Sequence, residues 1–277
     1  MTGDLEEGDR FAGYRIDGLL ARGGMGTVYR ASNEAGQRVA LKVITSKMAE
    51  DVSFRRRFER EVRLAAQMEH AHVVPLLDSG ELEGTLFMVS RLIDGRDLGD
   101  VLSAGGPLSI GAAVRVTGQV ASALDAAHAL GLLHRDVKPQ NVLLEGSPED
   151  CTAYLTDFGL SKHVASTSGL TRAGSWVGTI DYAAPEQLQG LDCDHRVDVY
   201  ALGCVLYETL TGEVPFPKAR SVQKMIAHIT EPPPAVSRLR PDAGAFDEVV
   251  ARAMAKLPDD RFGTAGAVGA AAIAASG

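Results

Sequence analysis

The sequence predicts an α+β chain of two lobes, a small β-rich lobe followed by a larger helical one. Three observations carry this expectation. Short β-type runs crowd the chain before Asp94, residues at helical spacing dominate after it, and glycine or proline punctuates the joints. With 277 residues, 45% of them hydrophobic, the chain is long enough for a substantial core in one large domain or in two packed lobes.

Taken in order, short β-type runs predict strands over 14–20, 28–31 and 39–44. FRRRFEREVRLAAQM, residues 54–68, reads as a charged helix with an apolar stripe of Phe54, Phe58, Val62 and Ala65. Its arginines Arg55, Arg56, Arg57, Arg60 and Arg63 read as a solvated face. Strands follow over 73–77 and 86–89, and the lobes join near 91–95. Residues 110–130 carry Ile110, Val114, Thr117, Val120, Ala121, Leu124 and Ala127 at helical spacing, and the pattern stops at Gly131, a fitting C′ residue. Residues 197–210 are apolar nearly all round, which predicts a helix buried inside its lobe and ending at Gly212. Pro232, Pro233 and Pro234 make a rigid loop, followed by two short helices from about Ala245 and Thr264.

Composition removes several classes of function. A formal charge of −8 argues against a general nucleic-acid surface. Cys151, Cys193 and Cys204 lie far apart without C-x-x-C spacing, which fits neither a disulfide framework nor a zinc site and makes a reducing cytoplasm the expected compartment. MTGDLEEGDR is acidic rather than basic and apolar, so it is not a secretory signal. No apolar run approaches the roughly 20 residues that cross a bilayer.

The first chemical signal is RGGMGTVYRA, residues 22–31, where Gly23, Gly24 and Gly26 allow a tight turn and close approach of the backbone to a phosphate. An ordinary hairpin turn explains the same glycines. The second is RVALKVI, residues 38–44, where alternation puts Val39, Leu41 and Val43 on one face and Ala40, Lys42 and Ile44 on the other. Lys42 then sits among apolar neighbours, unless it is a solvated edge lysine. Glu61 lies on the apolar stripe of the charged helix, where a carboxylate wants a cation, so Lys42 with Glu61 is the simplest pairing.

The third signal concentrates charge. HRDVKPQN, residues 134–141, places Asp136 and Asn141 shortly before a β-type run holding Leu143, and TDFGL, residues 156–160, adds Asp157. Two carboxylates and a carboxamide from adjacent turns are hard oxygen donors suited to Mg2+ held mainly by a substrate's phosphates. Alone, DFG reads equally as a turn and HRD as a surface cluster; together, in this order and spacing, they do not.

With these motifs the chain resembles the eukaryotic-type protein Ser/Thr kinases, from Phe11 to about Ala272, and more narrowly the bacterial receptor-type kinases, particularly those of actinobacteria. The narrower likeness rests on GGMG, VALKVI, the DG after the hinge, HRDVKPQN, VGTIDYAAPEQ and DVYALGCVLYE. It implies a protein-kinase-like fold as one catalytic domain over 1–277, with an N-lobe of about 11–93 and a C-lobe of about 94–275. It implies phosphoryl transfer from Mg-ATP, or Mn-ATP, to Ser and Thr of protein substrates, including the chain itself in trans.

The same resemblance assigns roles. Asp136 is the base or orienting group, Lys138 stabilises the transferred phosphoryl, and Asn141 and Asp157 hold metal. Lys42, paired to Glu61, contacts the α and β phosphates under the loop of Gly23, Gly24 and Gly26. Val28, Ala40 and Leu143 form the apolar sandwich around adenine, Leu20 is a further nucleotide-binding residue, and Leu92 and Ile93 lie in the hinge with Ser90 as gatekeeper. Glu186 of YAAPEQ pairs with Arg261 of PDDRF, Thr179 marks a Ser/Thr acceptor, and Asp198 accepts hydrogen bonds from the catalytic loop. Thr171, with Ser175 as fallback, is the expected autophosphorylation site, drawing Arg135 and Lys162 to its phosphate. Relatives associate back to back through N-lobes, where Asp78 can contribute, and their catalytic domain is often followed by a membrane span.

One departure is Ala21, where the family's glycine loop begins with glycine; its methyl is expected to restrict the loop and to weaken nucleotide affinity. Two other classes compete. A binding-only pseudokinase normally lacks the lysine or one of the two aspartates, but Lys42, Asp136 and Asp157 are all present. A small-molecule phosphotransferase would not carry the APE segment and Thr179.

Overall fold

Alternation along the first strands sorts their side chains onto two faces of one antiparallel sheet. The computed structural model describes residues 5–158 and 180–277, which fall into two compact units. One is drawn from Met1–Glu69 and Val74–Asp94, the other from His70–Val73 and Gly95–Gly277.

In the first unit, β1 (Arg10–Phe11), β2 (Tyr14–Gly23), β3 (Gly26–Ser32) and β4 (Arg38–Ile44) are followed by two helices, α1 (Ser46–Ala49) and α2 (Val52–Ala65). β5 (Leu76–Leu82) and β6 (Thr85–Arg91) complete the sheet, in the order β1-β2-β3-β4-β6-β5. Tyr29, Ala31, Val39, Leu41, Phe87 and Val89 form its dry face, joined by Phe11 and Ile16. Register puts Val28, Lys42 and Met88 in one cross-strand row and Arg30, Ala40 and Ser90 in the next, all on the opposite face.

Asp51 caps α2, its carboxylate accepting from the Ser53 and Phe54 N–H groups. Phe54, Phe58 and Val62 bury one stripe of the helix. Arg55 departs from the solvated face expected of it: it donates to Ala49 O at 2.5 Å, to both Glu81 oxygens at 2.6 and 3.0 Å, and to Gly84 O at 3.2 Å. A planar fork can saturate two acceptors that a point charge could not.

Ala21 also departs from expectation. It pairs with Val28 inside β2 and is absent from the positive-φ residues, so its methyl occupies a backbone conformation open to any residue. Gly26 has a different constraint: a Cβ there would stand 2.1 Å from Val43 O, so close strand packing demands glycine whatever binds nearby.

The second unit opens with residues 70–73, which the sequence assigns to the first lobe. The reason is hydrogen bonding: Leu155 N–H donates to His72 O at 2.8 Å and Val73 bridges Leu155 in parallel. Pro75 then interrupts the run, and β5 starts only at Leu76. β7 (Arg96–Asp97) leads into α3 (Leu98–Gly105) and α4 (Ile110–Ala129). β8 (Val142–Glu145) and β9 (Thr152–Leu155) complete a three-stranded sheet ordered β7-β8-β9. Helices α5 (Pro185–Gln189), α6 (Arg196–Thr211), α7 (Ser221–Thr230), α8 (Asp247–Ala253) and α9 (Ala265–Ala275) follow.

α4 packs on α9, α6 and β9, and Gly269 of α9 approaches Gly118 and Ala121 closely enough that a Cβ would lie 3.3 Å from both. α6 is buried on nearly every side and stops at Gly212, whose φ of +78° suits glycine. The expected helix near Ala245 begins at Asp247, after a 3-10 stretch over Pro241–Phe246. Among the described residues no helix is long and apolar enough to cross a membrane.

Candidate active site

Gly131, at φ +72°, ends α4 and sends the chain into 134–141. That segment hangs from one buried carboxylate. Asp198, fully buried in the first turn of α6, accepts from His134 N–H at 2.9 Å, Arg135 N–H at 2.7 Å and His128 Nε2 at 2.8 Å. Burial opposes ionisation of Asp198, but the hydrogen bonds from His128 and His134 outweigh it and hold the carboxyl below the usual carboxylate range. His128 is a partner that the sequence reading missed; it lies on the helix, six residues before His134, with no motif to flag it.

His134 is fully buried. Asp136 N–H donates to its Nδ1 at 3.2 Å, so the ring proton sits on Nε2 and is donated to Thr156 O at 2.8 Å. Its ring lies 4.8 Å from that of Phe158. Arg135 and Asp157 both have φ of +63°, a conformation that costs a non-glycine residue on the order of 1–3 kcal/mol and persists where the surroundings over-determine it.

Asp136 is 8% exposed. Lys138 Nζ lies 2.7 Å from its Oδ2, and Asn141 Nδ2 donates to its main-chain O at 2.8 Å and to Oδ2 at 3.3 Å. A 3-10 turn over Pro139–Asn141 closes this loop, with Asn141 N–H donating to Lys138 O. Directly after it, β8 and β9 pair Val142 with Leu155, and Thr156 N–H donates to Asn141 O at 3.0 Å. The hairpin thereby brings Asn141 and Asp157 to the same end of the sheet. The amide of Asn141 spends its N–H2 on Asp136, which leaves Oδ1 as a hard oxygen donor, and Asp157 adds a carboxylate two residues after Leu155 of β9. This donor chemistry fits Mg2+ or Mn2+ completed by phosphate oxygens.

Glu186 and Arg261 lie at 2.6 and 2.7 Å through two parallel hydrogen bonds. Nearby, Tyr182 donates to Glu208 Oε2 at 2.6 Å, and burial together with the charge of Asp181 pushes the Glu208 carboxyl up despite that bond. This pair too was missed; only an acid on an otherwise apolar helix hinted at it. Thr171, Ser175, Lys162 and Thr179 lie outside the described residues.

In the first unit, Lys42 shares a sheet face with the half-buried apolar side chains Val28 and Ala40 and with Ser90. Gly23 and Gly24 are exposed at the β2–β3 turn, and Leu20 lies on β2 just before them. Glu61 lies on α2 beside buried Val62. Leu92 is half-buried and Ile93 buried. In the second unit, Leu143 of β8 is half-buried, facing away from buried Val142 and Leu144.

Residues 14–268 match the family described as protein kinase domain. Serine/threonine-protein kinase PknE of Mycobacterium tuberculosis is 45% identical over 276 residues, covering 99% of this chain and 48% of the relative. PknH of the same organism is 44% identical over 271 residues, covering 97% and 43%. The chain therefore spans about half the length of the curated relatives it matches. Among solved structures, the Mycobacterium tuberculosis PknI kinase domain aligns with a TM-score of 0.80 and 34% identity over 98% of this chain and 100% of that one. Rad53 1-466 in complex with AMP-PNP aligns with a TM-score of 0.77 and 25% identity, covering 93% and 64%.

Proposed function

The chain belongs to the protein kinase family, and from that premise we propose that it transfers the γ-phosphoryl group of ATP to Ser and Thr hydroxyls of proteins, itself included. The observation that carries this reading is the placement of Asp136, whose carboxylate is braced by Lys138 and Asn141 and whose backbone is fixed by His134. Phosphoryl transfer needs little covalent chemistry from the protein; it needs the acceptor hydroxyl and the phosphates positioned and the developing charge stabilised.

Asp136 orients the acceptor hydroxyl and receives its proton, and Lys138, 2.7 Å from that carboxylate, meets the charge of the transferred group. Asn141 and Asp157 would hold Mg2+ or Mn2+, which when bound neutralises phosphate charge. In the first unit, Lys42, in a pair with Glu61, contacts phosphate under the glycine turn, and Val28, Ala40 and Leu20 contribute apolar surface for the base. Leu92 and Ile93, following β6, extend that apolar set in the first unit, and Leu143 of β8 is the second unit's own candidate for nucleotide contact. Thr179 sets the preference for Ser and Thr acceptors.

Thr171, or Ser175 in its place, is the site at which one copy phosphorylates another, and its phosphate draws Arg135 and Lys162. Asp78, exposed on edge strand β5 and accepting from Tyr14 OH at 3.1 Å, belongs to a surface through which two N-lobes associate. The domain works in the cytoplasm.

The test is Asp136→Asn. Phosphate incorporation into a generic protein acceptor falls at least about 100-fold while the fold and nucleotide affinity stay near wild type. Activity near wild type in this variant sinks the mechanism.

A further inference from the structure

The peptide unit between Arg135 and Asp136 is held at both ends. Its N–H, on Asp136, donates to His134 Nδ1 at 3.2 Å. Its C=O, on Arg135, accepts at 3.2 Å from Nε2 of Gln187, a residue far along the chain in α5. Arg135's own N–H is taken by Asp198 at 2.7 Å. With φ at +63°, Arg135 sits where a side chain is disfavoured, so this peptide plane relaxes toward ordinary backbone angles unless its neighbours hold it. Asp136 begins at that plane, and its carboxylate goes where the plane points it.

Two of the three restraints come from the catalytic loop itself and from α6. The third comes from the helix that follows the 159–179 segment. Gln187 is suited to it because its amide is divided. Oε1 accepts from Ala184 N–H at 3.0 Å, which satisfies the backbone at the start of α5 in the manner of half a capping box. That leaves Nε2 as a donor, and Arg135 O requires a donor, so the network fixes which end of the amide faces which partner. The next residue back, Glu186, is clamped to buried Arg261, so α5 is a fixed base for the reach.

We propose that Gln187 is a positioning residue for Asp136, holding the Arg135 carbonyl so that the strained peptide keeps the carboxylate in its working orientation. The inference rests on the kinase reading above. It makes α5 a lever on the catalytic loop: a shift of 185–189 is felt at Asp136 through one hydrogen bond.

The competing explanation is that Gln187 only caps its helix, and two substitutions separate them. Gln187→Ala loses both hydrogen bonds. Gln187→Glu keeps an oxygen for Ala184 N–H, and adds a negative charge at a helix start that favours it, but has no donor for Arg135 O. Steady-state phosphorylation of a generic protein acceptor, with ATP varied, is measured for both variants beside Asp136→Asn and the wild type, together with thermal melting.

The expected result is a kcat reduced about tenfold or more in both variants with KM for ATP unchanged, since misplacement of a catalytic group far smaller than a side chain already costs this much. Melting falls for Gln187→Ala and stays close to wild type for Gln187→Glu. Wild-type kcat in Gln187→Glu overturns the proposal while leaving the kinase reading intact. So does a kcat loss that follows melting temperature equally in both variants. An inert wild-type chain overturns the function and this inference together.

Discussion

Arg261 donates through both terminal nitrogens to Glu186, at 2.6 and 2.7 Å, from a side chain with no exposed surface to one that is 7% exposed. Further donations from Arg261 reach Ala255 O at 2.8 Å and Arg196 O at 2.9 Å. A paired buried charge contributes modestly against an apolar substitute, but removing one partner strands the other in a medium that cannot solvate it. Arg261→Ala is therefore expected to lower unfolding free energy by about 3–5 kcal/mol, read from denaturant midpoints. A loss under about 1 kcal/mol would show that water reaches Glu186 once the arginine is gone.

Asp198→Asn tests the carboxylate that suspends the catalytic loop. An amide in its place keeps one oxygen but turns a donor toward a backbone N–H or His128, so kcat falls and stability drops by about 2–3 kcal/mol at neutral pH. The native carboxyl lies below its unfolded value, so its stabilising contribution is complete above an unfolded pKa of about 3.9 and is lost as pH falls toward the native value. The stability gap between wild type and variant should be constant from pH 7 to about pH 5 and narrow below about pH 4. A gap that stays constant to pH 2.5 would contradict the lowered carboxyl.

Ala21→Gly should leave nucleotide affinity within about twofold of wild type, because extended backbone gives a glycine no conformational advantage there. Its measurable effect is a small loss of stability, about 0.5–1 kcal/mol, from the added freedom of a strand glycine. Tighter ATP binding by titration would restore the constraint that the sequence suggested.

Activation by self-phosphorylation is expected at Thr171, with Ser175 taking its place when Thr171 is absent. Incubation with Mg-ATP should place phosphate there by mass spectrometry, and Thr171→Ala combined with Ser175→Ala should reduce activity at least about tenfold. Full activity in the unphosphorylated double variant rules the switch out.

Much of the candidate site is legible in the sequence because its chemistry is local. Residues 134–141 and 156–158 carry their donors and acceptors within a few positions of one another, and helix ends at Gly131 and Gly212 show as a stop in periodicity with a residue that tolerates positive φ. α1, α3, α5 and α7, of four, eight, five and ten residues, escaped notice; shortness blurs a 3.6-residue period but is not the whole reason, since the seven-residue α8 was anticipated near Ala245.

The sequence by itself determined the two textures, the shared face of Val39 and Leu41 on β4 through alternation, and the candidate set of Asp136, Asn141 and Asp157 through motif order. Tertiary structure decided the contacts across the chain that no motif carried. That Asp198 also holds His128, that Arg55 ties α2 to the β5–β6 hairpin, and that Gln187 reaches the Arg135 carbonyl are contacts between residues 26 to 70 positions apart. No period or local propensity encodes such distances. They follow from the order in which helices and strands pack, which sets the partners that each buried polar group must find once water is gone.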